Sequence, residues 1–240
     1  MNIKTMIISA ALALGLTSIA HAADITGNLT ILSDYRYRGV SQTLNGPEVS
    51  GNIDFTTNSG FYAGTFISNV SSEYYAHGAG YEEDFYGGFK KEVVKGVTLD
   101  VGSYTDTYYK AYEPKNLNYT TSEVYTNASY GPLTLGARYA FTTYFGIARS
   151  AGTKYVSADF SQPIGPVTLI AHAAHTFVPE KNYDYNDLNA GVAFNLPKNF
   201  SIQALYYVNT DLGKAMMDYN TVNGNKLYSN AVVLSLKKSF

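Results

Sequence analysis

The chain has 240 residues, no cysteine and a formal net charge of −2, with charged residues at 15%, against about 25% in ordinary soluble domains. The absence of cysteine excludes disulfides and thiolate metal centres, and the lack of any basic cluster leaves no electrostatic footprint for nucleic acid. With 23 Tyr, 12 Phe and 21 Gly, the sequence exposes few charges and many aromatics.

The first element is a leader. Lys4 precedes an apolar run over 6–16, and Ala20-His21-Ala22 supplies small residues three and one before a cut. This predicts a secretory signal peptide over 1–22 and one domain over 23–240. The run is shorter than the roughly 20 apolar residues a spanning helix needs, and no longer apolar stretch follows. Spanning strands are not excluded, because they are apolar only at alternate positions.

From Asp24 onward a turn residue leads repeatedly into an alternating run, at Gly60, Gly96, Gly131, Gly165 and Asn199. The interval of about 35 residues reads as a strand, a longer loop, a returning strand and a tight turn. Six such hairpins predict an all-β fold, a transmembrane antiparallel up-and-down β-barrel of about 12 strands, an even number as in bacterial single-chain barrels. The strands are placed at 24–36, 47–57, 60–70, 82–92, 96–106, 119–130, 132–142, 153–161, 166–177, 186–196, 199–209 and 227–240. Pro47, Pro114, Pro132, Pro163, Pro166, Pro179 and Pro197 all fall in or beside turns and loops, where a missing N–H deletes no ladder hydrogen bond. Tight turns alternate with longer polar segments near 37–47, 71–81, 107–118, 143–152, 178–185 and 210–226. Short turns belong to the periplasmic end and long loops to the outside, which puts both termini in the periplasm.

Strand side chains sort by parity. In 24–36, Ile25, Leu29 and Ile31 share a face that Tyr35 and Tyr37 continue, opposite Asn28, Thr30, Asp34, Arg36 and Arg38. In 132–142, Leu133, Leu135, Ala137, Tyr139 and Phe141 oppose Thr134, Gly136, Arg138 and Thr142. A chain so poor in charge turns the apolar faces to lipid and the charged faces into a lumen, with Tyr35, Tyr37, Tyr130 and Tyr139 in aromatic girdles. In 60–70 aromatics occur in both parities, at Phe61 against Tyr62 and Phe66, so its faces stay unassigned. The candidate pore-lining residues are Asp34, Arg36, Arg38, Asp54, Asp100, Glu123, Arg138 and Asp159. Inward parity gives Asp34, Glu48, Asp54, Asp84, Asp100, Asp106, Glu123, Asp159 and Asp187 against Arg36, Arg38, Lys90 and Arg138, an acidic excess that predicts weak cation preference.

At the end of the chain, Tyr228, Val232, Leu234, Leu236 and the terminal Phe240 share one strand face. This resembles the assembly signal of bacterial outer-membrane barrels, in which Leu234, Leu236 and Phe240 would engage the barrel-assembly machinery. Lys238 stands where that pattern usually has an apolar residue.

Little in the sequence points to catalysis or to a cofactor. His172 and His175 are three apart, which on a strand puts them on opposite faces and excludes a shared metal. His172 is expected to line a polar lumen and His175 to lie near an interface. No G-x-S-x-G elbow is present, and no cofactor is expected. Tyr74-Tyr75, Tyr108-Tyr109 and Tyr183 with Tyr185 offer either sugar-stacking faces or, the favoured reading, interfacial and loop packing.

The segment Ser33-Asp34-Tyr35-Arg36-Tyr37-Arg38-Gly39-Val40-Ser41-Gln42-Thr43 resembles the opening motif of the TorF family of proteobacterial porins. Gly60-Phe61-Tyr62-Ala63-Gly64-Thr65-Phe66-Ile67-Ser68-Asn69-Val70 is similar to that family's second motif, with Phe66 where many members have Trp. The resemblance implies an outer-membrane barrel passing small polar solutes or ions, with outer-membrane lipid as its surroundings. A structural or adhesive barrel with a closed interior is the competing reading, since 12 strands enclose less room than the 16–18 of open porins. A barrel hydrolase ranks third.

Overall fold

The computed structural model describes residues 23–73, 79–109 and 119–240. The leader expected over 1–22 and the Tyr74-Tyr75 pair lie outside them. Twelve antiparallel strands form one closed barrel: β1 (Ala23–Leu32), β2 (Glu48–Thr57), β3 (Phe61–Asn69), β4 (Tyr81–Val94), β5 (Val97–Tyr108), β6 (Thr121–Tyr130), β7 (Leu133–Ala140), β8 (Lys154–Ile164), β9 (Val167–Phe177), β10 (Tyr185–Leu196), β11 (Phe200–Thr210) and β12 (Ala231–Ser239). Each strand pairs with its sequence neighbours, and β12 closes on β1 from Asn28↔Ser239 to Leu32↔Ser235. Reciprocal backbone bonds between Gly27 and Phe240, at 3.0 and 3.1 Å, extend that seam to the last residue. Closure leaves no unpaired edge.

Four of the five tight turns carry a glycine in the left-handed region. At Gly131 and Gly165, φ is 57° and 61° and a proline follows. The turn after β10 reaches the same geometry through Lys198 and Asn199, at 61° and 59°, without glycine.

The barrel's outer surface is apolar: Ile25, Leu29, Ile53, Leu135, Ile164 and Leu234 are all exposed there. The buried polar side chains, among them Glu48, Glu82, Asp106, Glu123 and Asp187, belong to the opposite parity of their strands. Apolar outside and polar inside is the arrangement of membrane barrels. In β3, whose faces the sequence left unassigned, Phe61, Ala63 and Ile67 point outward, while Tyr62, Gly64, Phe66 and the buried Ser68 occupy the inner parity.

The first and last expected strands are shorter than their alternation suggests, for reasons that shape the mouth of the barrel. The first ends at Leu32, not 36, because residues 36–41 pair with themselves: Arg36↔Ser41 and Tyr37↔Val40 form a small ribbon. Its tip, Arg38-Gly39, has φ of 47° and 77°, both positive as in a type I′ hairpin. The ribbon turns into the barrel mouth, so Tyr35 and Tyr37 are not girdle residues. Tyr35 donates to Glu82 Oε1 at 2.7 Å, and the Tyr37 hydroxyl bonds that of Tyr104. At the other end, β12 begins at Ala231 rather than 227. Leu227 bonds Asn220 and Ser41 through its backbone and is fully buried, which takes Tyr228 off the strand. Tyr130, Tyr139 and Phe141 are exposed at strand ends on the outer surface, where girdle aromatics belong.

Candidate functional site: a polar chamber beneath an inward-folded loop

Asp34 organises the ribbon. Its Oδ2 accepts from Arg36 Nε at 2.7 Å, and its Oδ1 from Ser41 Oγ at 2.5 Å. Tyr35 N donates to Thr43 Oγ1 at 3.1 Å. At the tip, the Arg38 guanidinium meets Glu123 Oε2 on β6 at 2.6 Å, and Tyr104 OH donates to the same oxygen at 2.8 Å. Arg38 also lies 4.1 Å from the Tyr155 ring centroid and donates to Tyr144 OH at 3.2 Å. Burial, the largest single influence, works against its charge, but Glu123 together with Tyr144, Tyr37 and Tyr104 outweighs it, so the guanidinium is held protonated more firmly than usual. Glycine is required at position 39 for a second reason: a Cβ there would come within 2.3 Å of the Asn209 amide.

Other loops pack on the ribbon. Tyr144, Phe145 and Ile147, from the segment after β7, are buried with Val70, Tyr108 and Val178, and Tyr35 and Tyr37 pack against them. Val40 is buried with Tyr185, Leu227 and Met216, the last from the short helix α1 (Lys214–Tyr219). Tyr108 and Tyr185, two candidates for ligand stacking, are therefore part of this packed cap, and Tyr109 stacks on Tyr81. Among the described residues, these side chains crowd the loop end of the barrel.

Beneath the cap is a chamber of about 510 Å³. Arg36, Tyr37, Arg38 and Gly39 form its roof, and its walls carry Asp84, Asp100, Arg138, His172 and Asp187 with Tyr86, Tyr104, Tyr125, Tyr155 and Tyr207. Arg138 forms no ion pair among the described residues, and its guanidinium stands 5.5 and 5.2 Å from the Tyr104 and Tyr125 ring centroids. The His172 ring lies between two carboxylates, with Nδ1 2.6 Å from Asp159 Oδ1 and Nε2 3.0 Å from Asp187 Oδ1. His175, on the other parity, contacts Asn186 Oδ1 at 2.6 Å and packs its ring at a tilt of 60° against Phe177. Asp54 accepts from Tyr86 OH at 2.5 Å, and Asp100 from Tyr62 OH at 2.6 Å.

Of the eight candidate residues, Arg36, Arg38, Asp100 and Arg138 border the chamber, and the eight come from two sources. Asp54, Asp100, Glu123, Arg138 and Asp159 come from the walls, whereas Asp34, Arg36 and Arg38 come from the ribbon and not from a continued β1. The tally of charged inward side chains left out the tyrosines that share their parity. Gly64 lies opposite Tyr86, Gly88 opposite Tyr62 and Gly102 opposite Tyr125. A Cβ on these glycines would fall within 2.5–2.7 Å of the facing ring or its hydroxyl, so each ring lies flat over its partner and stays close to the wall. The signal for this was the register that sets each glycine opposite a tyrosine, which alternation alone does not reveal.

Fold and chamber together define a narrow, porin-like β-barrel. The chain belongs to the family described as bacterial protein of unknown function (Gcw_chp), which matches residues 18–240. Among solved structures it is similar to the NanC porin, with a TM-score of 0.57 at 10% identity, covering 89% of this chain and 98% of that one. It is likewise similar to the KdgM porin, with a TM-score of 0.55 at 10% identity over 90% and 99% of the two chains. A structure of KdgM in complex with disordered oligogalacturonate gives 0.54 at 10% identity over 91% and 99%. At such identities the likeness concerns the fold. No curated protein matches the sequence.

Proposed function

We propose that this chain is a porin of the Gram-negative outer membrane, one that lets small polar solutes or ions diffuse through a narrow lumen constricted by its own first loop. The observation that carries this reading is the charged, tyrosine-lined chamber of about 510 Å³ inside a closed barrel whose outside is apolar. A lumen lined with charge on both sides suits hydrated solutes, and an apolar belt suits lipid. Outer-membrane lipid is then the barrel's solvent and the assembly machinery its partner during insertion, engaged through Leu234, Leu236 and Phe240. The signal peptide over 1–22 and the TorF-like motifs agree with this assignment. The second of those motifs is β3, and the first is the ribbon that makes the constriction.

Asp34, Arg36, Arg38, Asp54, Asp100, Glu123, Arg138 and Asp159 are its pore-lining residues. Ion pairing removes several of them from the field: Arg36 neutralises Asp34, and Arg38 neutralises Glu123. The remaining wall acids outnumber Arg138 and favour cations over anions. KdgM is seen with oligogalacturonate, and a saccharide of that kind is one member of the solute panel to try.

One observation favours a barrel that does not conduct: Tyr144, Ile147 and Leu227 are buried in the cap, and such packing would have to yield for a solute to pass. Swelling of liposomes containing the purified barrel, in a panel of neutral, cationic and anionic solutes, separates the two. Swelling in small cationic and neutral solutes supports the porin. No swelling in any of them supports the closed barrel.

A further inference from the structure

The strands β2 to β5 carry a belt of carboxylates just below the cap that no cation among the described residues pairs with. Asp84 and Asp106 are directly opposite each other on β4 and β5, and Glu82 sits two residues from Asp84 on the same face. Glu48 joins through Ser68, which donates to its Oε1 at 2.9 Å and is itself paired with Glu82 across β3 and β4. Asp106, Glu48 and Glu82 are only 1%, 1% and 2% exposed. No donor group among the described residues reaches either oxygen of Asp106, Oδ1 of Asp84, Oε2 of Glu82 or Oε2 of Glu48, and Asp84 and Asp106 meet only each other. Arg38, the nearest guanidinium among the described residues, is engaged with Glu123. Like charges directly opposite in an antiparallel pair repel, and buried carboxylates without partners are strongly disfavoured. Asp84 alone of the group borders the open chamber, which gives a route from solvent to the otherwise closed Asp106.

We propose that Asp84 and Asp106 bind a hard divalent cation, Ca²⁺ or Mg²⁺, which enters from the chamber, and that Glu82 and Glu48 stabilise it from the same wall. All the donors on offer are carboxylate oxygens, the ligands such ions take. The described residues present no set of three acidic or histidine ligands already converged on one point. The cation is therefore held by two carboxylates and keeps part of its water shell, the manner usual for Mg²⁺. Bound there, it fixes β4 to β5 directly beneath the ribbon. The site does not depend on conduction, because a closed barrel would bind the ion equally well.

The test is calorimetric titration of CaCl₂ and MgCl₂ into the chelator-treated full-length barrel in zwitterionic detergent, at matched ionic strength. One saturable ion per barrel is expected, weakened at least tenfold in Asp84→Asn and in Asp106→Asn and unchanged in Asp218→Asn, which removes a carboxylate from the exposed helix α1. Both Asn variants keep the shape of the side chain and relieve repulsion, and their folding is verified by gel mobility before and after boiling. The wild-type barrel supplies a second readout, since either ion should raise its thermal midpoint and KCl at the same ionic strength should not. Absence of saturable binding to the wild type, undiminished binding in Asp84→Asn, or a midpoint indifferent to divalent ions overturns the proposal.

Discussion

Arg38, at the tip of the inward ribbon, and Glu123, on the wall strand β6, are joined by an ion pair of 2.6 Å in which both side chains are almost wholly buried. The contact ties a loop that would otherwise project outward to the barrel's inner wall. Its energetics are asymmetric, because removing one partner strands the other charge in a dry site, at about 3–5 kcal/mol. Arg38→Ala is expected to release the ribbon, seen as faster amide exchange over 36–41 and faster proteolysis there. Arg38→Ala with Glu123→Ala should recover much of the loss. Unchanged exchange in the single variant would show that the cap is held by its apolar packing alone.

The glycine and tyrosine pairs across β3 to β6 set the bore. Gly64→Val drives a side chain into the Tyr86 ring, which lies 2.5–2.6 Å from where a Cβ would stand. Overpacking of this kind costs about 1–3 kcal/mol. The thermal midpoint in detergent should fall, while Tyr86→Ala should widen the chamber and admit larger solutes. If Gly64→Val is as stable as the wild type, the ring does not lie on the glycine.

At the seam, Phe240 exchanges two backbone bonds with Gly27 and its ring covers that glycine. Deleting Phe240 removes both bonds and the terminal aromatic, and is expected to lower outer-membrane levels severalfold. Gly27→Val, whose Cβ would meet the Phe240 ring and Asn52 O at 2.7 Å, should act in the same direction. Normal levels of the truncated protein in the outer-membrane fraction would remove the assembly role.

Charge on the lower wall should set ion preference. Asp54 and Asp100 are held by Tyr86 and Tyr62, and Asp100 lines the chamber with Arg138, a cation with no ion pair among the described residues. Asp54→Asn with Asp100→Asn is expected to shift the reversal potential across a KCl gradient toward anions, and Arg138→Ala to shift it the other way. Clear anion preference in the wild type would contradict the charge assignment.

The barrel itself was legible because all but one of its strands alternate clearly and every tight turn carries a residue that tolerates positive φ; the expected 12 strands match the closed barrel. Alternation failed where it continued beyond the sheet. Tyr35-Arg36-Tyr37-Arg38 keeps strand parity, yet the chain leaves β1 at Leu32, since Asp34 can bond Arg36 and Ser41 locally and Arg38-Gly39 accepts a tight turn. Leu227 and Tyr228 likewise keep apolar character, but Leu227 is recruited into the cap by Tyr185 and Met216. The cap was not legible, because it depends on contacts between loops far apart in sequence, such as Arg38 with Glu123 and Tyr219 with Phe145. The same holds for Asp159, His172 and Asp187, on three adjacent strands, which only the register brings together.

The central claim, that the lumen is a path narrowed by the first loop, is tested most directly by conductance in planar bilayers. The comparison is between the wild-type barrel and a variant in which residues 35–43 are replaced by a short Gly-Ser linker, both shown to be folded by their mobility shift on boiling. Small, cation-preferring steps from the wild type and steps severalfold larger from the variant are the predicted result. Equal conductance in the two, or silence from both folded barrels, would contradict it.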